Sequence, residues 1–122
     1  MKGLLIVLIP LFLLLGGITA NYIYINEVSD QLLTEINAIP APDQPDCIAK
    51  TAALVDAWEK EMDTVSLSVS YTITDRISEH AATLHACASC GDRYGFYTSL
   101  ALLRDAIGDM RRLECFSVRN LF

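Results

Sequence analysis

Between Lys2 and Lys50 the chain has no lysine or arginine, and from Leu4 to Ala20 it has no charged residue of either sign. Eight of the nine basic residues follow the apolar opening, where they face all fifteen acidic ones, so the formal net charge is −6. A surface of that sign repels phosphate backbones and argues against a nucleic-acid partner. Catalytic signatures are missing too. Ser and Thr are plentiful, but no G-x-S-x-G nucleophile setting occurs. The run Asp56, Glu59, Glu61 and Asp63 lacks calcium-loop spacing and reads as a solvated helix face. His80 and His85 are five apart, not at the i, i+4 spacing of helical zinc enzymes. We therefore assign no catalytic residue, no cofactor and no small-molecule substrate.

What is present begins with the apolar run itself. A spanning helix needs roughly 20 apolar residues at 1.5 Å each, and residues 4–25 supply them, with Tyr22 and Tyr24 placed as aromatic anchors at headgroup level. Lys2 precedes the segment and acidic residues follow it, which orients residues 1–3 to the cytoplasm and the remainder outward. The rival reading is a secretion signal cleaved near Ala20, leaving a secreted helical domain. Continuity favours a retained anchor: Tyr22, Ile25, Val28, Leu32, Ile36 and Ile39 run on at helical spacing, giving an amphipathic extension over residues 26–39. No Cys lies at the end of the run to accept a lipid.

Three prolines within residues 40–45 then stop the helix in an extended turn. Residues 46–122 make one small extracytoplasmic domain. Asp46 is a candidate N-cap, and Ile48, Ala52, Val55, Trp58, Met62 and Val65 trace one helix face. A second helix carries Ile73, Ile77, Ala81, Leu84 and Ala88 and ends at Gly91. A third carries Phe96, Leu100, Leu103, Ile107 and Met110 in a heptad-like register, a face suited to packing against another helix and a candidate interaction surface. The fold class is all-α: an anchor helix continuing into an amphipathic helix, followed by a small antiparallel bundle of three helices. Val65 to Thr74 alternates apolar and polar as a strand would. With no second alternating stretch to pair with, it reads as an irregular or weakly helical connection.

The apolar opening, the helix around Trp58, the helix near His80, and the stretch from Leu100 to Glu114 closing on Phe116-Ser117-Val118-Arg119-Asn120-Leu121-Phe122 together resemble one group of small proteins. This is the domain-of-unknown-function 4363 family of clostridial-type bacteria. The resemblance implies a single-span membrane protein with a helical outer domain and carries no activity or functional residue with it. The four cysteines and the Ala, Ser and Thr content of the helices depart from that group's style.

The cysteines are the residues with a conceivable chemistry. Cys87 and Cys90 form a C-x-x-C pair. Its place near a helix C-terminus opposes thiolate formation, unlike the N-terminal setting of redox pairs. Zinc would have to draw on Cys47, His80, His85, Cys87, Cys90 and Cys115, and Cys115 lies about 30 Å along its helix from Cys90. If neighbouring helices are antiparallel, Cys47 shares an end of the bundle with Cys87 and Cys90. One disulfide there would close a loop of about 40 residues and contribute on the order of 2 to 4 kcal/mol. The reading that joins these features is a non-enzymatic accessory module in the cell membrane, binding the bilayer and either another membrane protein or a second copy of itself. The alternative is a small extracytoplasmic thiol or metal-binding protein built on Cys87 and Cys90.

Overall fold

The computed structural model describes the backbone of residues 2–121 and the side chains of residues 2–113. Among the described residues there are four helices, α1 (Lys2–Asn37), α2 (Asp46–Val65), α3 (Tyr71–Cys90) and α4 (Arg93–Leu121), and no strand. α1 is one uninterrupted helix through the apolar run and beyond it, with Pro10 inside. By length and composition it could cross a membrane, and none of its most apolar stretch is covered by the rest of the chain. Its end is set by the prolines. Ala38 and Ile39 still donate back to Glu35 and Ile36, but Pro40 has no N–H to continue the ladder.

The other helix ends follow from local chemistry. At the start of α2, Pro45 occupies the capping position with φ −62° and ψ −28°, and no side chain caps the helix. Asp46 is thus the first helical residue rather than the expected N-cap. Pro45 is already in the helical region and the Cys47 N–H bonds back to the Gln44 carbonyl at 3.2 Å, so the winding begins before Asp46, whose carboxylate still favours the positive helix end. α3 stops as expected at Gly91, whose φ of 74° needs a residue without Cβ. The Asp92 N–H then donates back to the Cys87 carbonyl at 3.0 Å, closing a Schellman motif. Asp92 in turn caps α4, its Oδ1 accepting from the Gly95 N–H at 3.0 Å.

Each helix packs on two others: α1 on α2 and α4, α3 on α2 and α4. One core runs through all four and includes Ile25, Val28, Leu32 and Ile36 of α1. Three helices follow α1 as expected, and the second half of α1 adds a further wall to their core. Tyr24 and Ile25, read above as the last residues of the span, already belong to this packing: Ile25 is buried and the Tyr24 hydroxyl donates to Glu61. Polar rungs mark the seams. Arg111 Nε donates to Asn26 Oδ1 and its Nη1 pairs with Asp30, both at 2.9 Å, while Arg104 reaches Asn37 at 3.0 Å. Trp58 Nε1 donates to Ser78 Oγ at 2.7 Å between α2 and α3.

The α3 stripe Ile73, Ile77, Ala81, Leu84 and Ala88 is buried as expected. The α2 stripe is met in part, at Trp58 and Val65 and, against the edge of the core, at Val55 and Met62. Cys47, Thr51, Leu54, Trp58 and Val65 are buried, while Ile48 is 46% exposed and Ala52, Val55 and Met62 are only partly covered. The buried line passes through Thr51 because its hydroxyl is satisfied by the Cys47 carbonyl at 2.9 Å, so a polar residue sits in the core without an orphaned group. In the alternating segment, Val65, Val69 and Ile73 point inward from a turn at residues 66–70, and Leu67 and Tyr71 point out.

This register makes a direct prediction. Leu54→Ala should cost about 2–5 kcal/mol of stability by opening a cavity, whereas Ile48→Ala should change it by no more than about 0.5 kcal/mol. Urea unfolding of the detergent-solubilised chain, followed by circular dichroism, would measure both. Equal costs would contradict the observed register.

Candidate functional site

Two places were expected to matter: the cysteine end of the bundle and the apolar face of α4. At the first, Cys47 opens α2, Cys87 lies three residues before the end of α3, and Cys90 ends α3. Cys47 and Cys87 are buried, Cys90 is exposed, and all three are free thiols. The side chain of Cys115 lies outside the described residues. His85 Nδ1 and Thr51 Oγ1 meet at 3.0 Å, joining α2 one turn from Cys47 to α3 two residues before Cys87.

No disulfide joins these three cysteines, and Cys87 and Cys90 each turn their sulfur to another partner. Cys87 Sγ turns toward α4, donating to Asp92 Oδ2 at 3.9 Å. It rests against Gly95, where an added Cβ would come within 2.8 Å of that sulfur and 2.4 Å of the Asp92 carboxylate. Gly95 is therefore the residue that lets α3 and α4 close over the thiol. Cys90 Sγ donates instead to the Cys87 carbonyl at 3.7 Å. The disulfide staple expected from Cys47, Cys87 and Cys90 is thus not formed in this arrangement.

The electrostatics of the buried thiols oppose nucleophilic or redox use. Burial pushes the Cys47 thiol up, and the Asp43 carboxylate adds to the effect. Burial likewise raises Cys87, with Asp92 and then Cys90 contributing in the same direction. Reactive cysteines need the opposite, an exposed and electropositive setting. Among the described residues, no group of three or more His, Cys, Asp or Glu side chains converges as a metal site.

The α4 face resolves differently. Phe96, Leu103, Ile107 and Met110 are buried and Leu100 is partly so, all packed in the core of this chain. That stripe finds its neighbouring helix within the molecule, and its apolar surface is already used. The free apolar surface of α4 is its opposite side, where Tyr94, Tyr97 and Leu102 are exposed and, with Arg93, Thr98 and Ala101, line a shallow hollow. Tyr97 stands edge-on to Phe96, with ring centroids 5.3 Å apart, and the Arg93 guanidinium lies 5.9 Å from its ring centre. Of these three aromatics, Phe96 goes to the core and Tyr94 and Tyr97 to the surface. The sequence signal for the outer face was its i, i+3, i+8 spacing on the side away from Phe96. A second hollow lies between α2 and α3, lined by Val55, Trp58, Met62, Asp75, Ser78 and Ala82. Its floor is closed by the Trp58–Ser78 bond and by Ser78 Oγ donating to Met62 Sδ at 3.1 Å.

The raised thiols give a pH dependence of defined sign. The folded chain holds protons on Cys47 and Cys87 that the unfolded chain releases near the ordinary value of 9.0. Their contribution to stability is complete below that value and is lost as pH rises through the raised values. Unfolding free energy measured on both sides of 9.0 should fall on the alkaline side, and the fall should be smaller in a Cys47→Ala, Cys87→Ala chain. An identical fall in that variant would contradict the assignment. Comparison of the chain with protein-family models, with characterised proteins and with solved structures finds no match.

Proposed function

We propose that the protein is a membrane-anchored helical module that serves by interaction rather than catalysis, held at the outer face of the cell membrane beside another membrane protein or a second copy of itself. The observation that carries the reading is α1. One unbroken helix offers bare apolar side chains from Leu4 to Leu14, then contributes Ile25, Val28, Leu32 and Ile36 to the bundle core. A helix with two such halves places a folded domain at a fixed distance from a bilayer, since no flexible linker separates them.

An antiparallel, up-and-down order of the four helices is supported by the rungs: residue numbers rise along α1 from 26 to 37 while their α4 partners fall from 111 to 104. Thr51–His85 and Trp58–Ser78 repeat the pattern between α2 and α3. The outward orientation of the bundle rests on Lys2 before the apolar run and on the absence of Lys or Arg between it and Lys50. The resemblance to the domain-of-unknown-function 4363 family implies the same plan. For a protein partner, the outer side of α4 around Tyr94, Tyr97 and Leu102 replaces the buried Phe96 to Met110 stripe as the contact face.

In intact bacterial cells, a membrane-impermeant maleimide should modify Cys90 without prior reduction, on a chain whose mass retains residues 1–25. In the same membranes, a Tyr94→Ser, Leu102→Ser chain should insert and fold normally but lose the crosslinked complexes formed by the parent. Modification of Cys90 only after lysis would invert the orientation, and crosslinking that is absent or unchanged would remove the α4 face from the interaction.

A further inference from the structure

The turn between α2 and α3 carries apolar side chains that the bundle does not use. Leu67 is 86% exposed and Tyr71 is 74% exposed. No charged residue lies between Asp63 and Asp75. A turn at the tip of a bundle that faces water is ordinarily polar, with Gly, Asn or Asp at its apex. This one has Leu at its apex and serine hydroxyls between its apolar residues.

Its height relative to α1 gives it an occupant. Tyr24 of α1 and Glu61 of α2 are joined by a hydrogen bond. Helical side chains lean toward the N-terminus of their own helix. The Tyr24 ring therefore leans toward Ala20, while Glu61 leans back toward Trp58, and the backbone at Glu61 sits nearer the apolar run than the backbone at Tyr24. From Glu61 the helix descends four more residues to Val65, about 6 Å at the helical rise. The turn thus lies level with Ala20 or deeper. A hydrocarbon core of about 30 Å counted from Leu4 ends near Ile23. The apex of the turn and the end of the apolar run are at the same depth. Leu113, on the segment of α4 just past the Arg111 rung to α1, is also exposed at this end.

We infer that the α2–α3 turn is a lipid-contacting foot: Leu67 and Tyr71 enter the outer boundary of the bilayer beside α1, so that the bundle touches the membrane at this turn as well as through α1. This rests on the anchored reading above and adds a second contact to it. The alternation of Val65 to Thr74 then has a cause. Val65, Val69 and Ile73 face the protein core, and Leu67 and Tyr71 face lipid, on opposite sides of one turn.

The test uses the full-length chain reconstituted in phosphatidylcholine–phosphatidylglycerol vesicles containing brominated phosphatidylcholine, whose bromines quench nearby tryptophan. Trp58 is buried and supplies a constant background, so the emission added by Leu67→Trp, Tyr71→Trp, Lys50→Trp at the far end of the bundle, or Phe12→Trp in the anchor is read by difference. All four sites are exposed, and circular dichroism of each variant checks the fold. The Leu67→Trp and Tyr71→Trp emission should fall by roughly half with bromines ~5–10 Å inside the boundary, the Phe12→Trp emission should respond to deeper bromines, and the Lys50→Trp emission should not change. Quenching at Phe12→Trp with none at Leu67→Trp or Tyr71→Trp would overturn the foot while leaving the anchor intact. Absence of quenching at Phe12→Trp would overturn the anchor and the foot together.

Discussion

The burial of Ile25, Val28, Leu32 and Ile36 against α2 and α4 is the contact on which the rest of the structure depends. Each such side chain contributes roughly 1.5–3 kcal/mol when fully removed from water. Four of them amount to a gross term comparable with the whole net stability of a small domain, about 5–15 kcal/mol. The rest of the core, with Trp58, Leu84, Phe96 and Ile107, comes from the other three helices and meets α1 through α2 and α4. A helix whose first half is long and apolar enough to cross a membrane is, in its second half, a wall of the core.

Polar contacts on the same seams select the arrangement more than they stabilise it. Arg111 binds both Asn26 and Asp30, and Arg104 binds Asn37, at largely exposed positions. The one ion pair among them, Arg111–Asp30, contributes about 0–1 kcal/mol at an exposed position. The value of these contacts is positional, because a one-turn slide of α4 along α1 would break all three. At the far end, Gly91 and Gly95 allow the α3–α4 corner to close, one through a left-handed backbone and the other by leaving room for Cys87 Sγ. Cys47 and Cys87 are there as small buried side chains, held protonated by burial first and then by the nearby Asp43 and Asp92 carboxylates.

Much of the architecture was legible in the residues. Prolines 40, 42 and 45, Gly91 and the apolar periods of α3 and α4 locate the helices because local backbone chemistry decides those ends. Three helices follow α1 as expected, but the part of α1 in their core was not legible, because apolar periodicity says that a face is buried but not whether the cover is lipid, another protein or the same chain. The Phe96, Leu100, Leu103, Ile107 and Met110 stripe was ambiguous in the same way, and its cover proved to be internal. In α2, hydrophobicity alone favoured Ile48 and Val55. The actual core line includes Thr51, admitted because a helical hydroxyl can bond to its own backbone. The exposed apex Leu67 was hidden by an alternation that resembles a strand, since a period of two describes any chain whose successive residues face opposite environments.

The dual role of α1 is tested most directly by comparing a fragment that begins at Tyr22, after the apolar run, with one that begins at Asp43, after the whole of α1. The account predicts a single cooperative unfolding transition, followed by circular dichroism, for the first fragment, and a broad transition with reduced helical signal for the second. Equal stability and cooperativity in the two fragments would show that α2, α3 and α4 fold without α1 and would contradict the account.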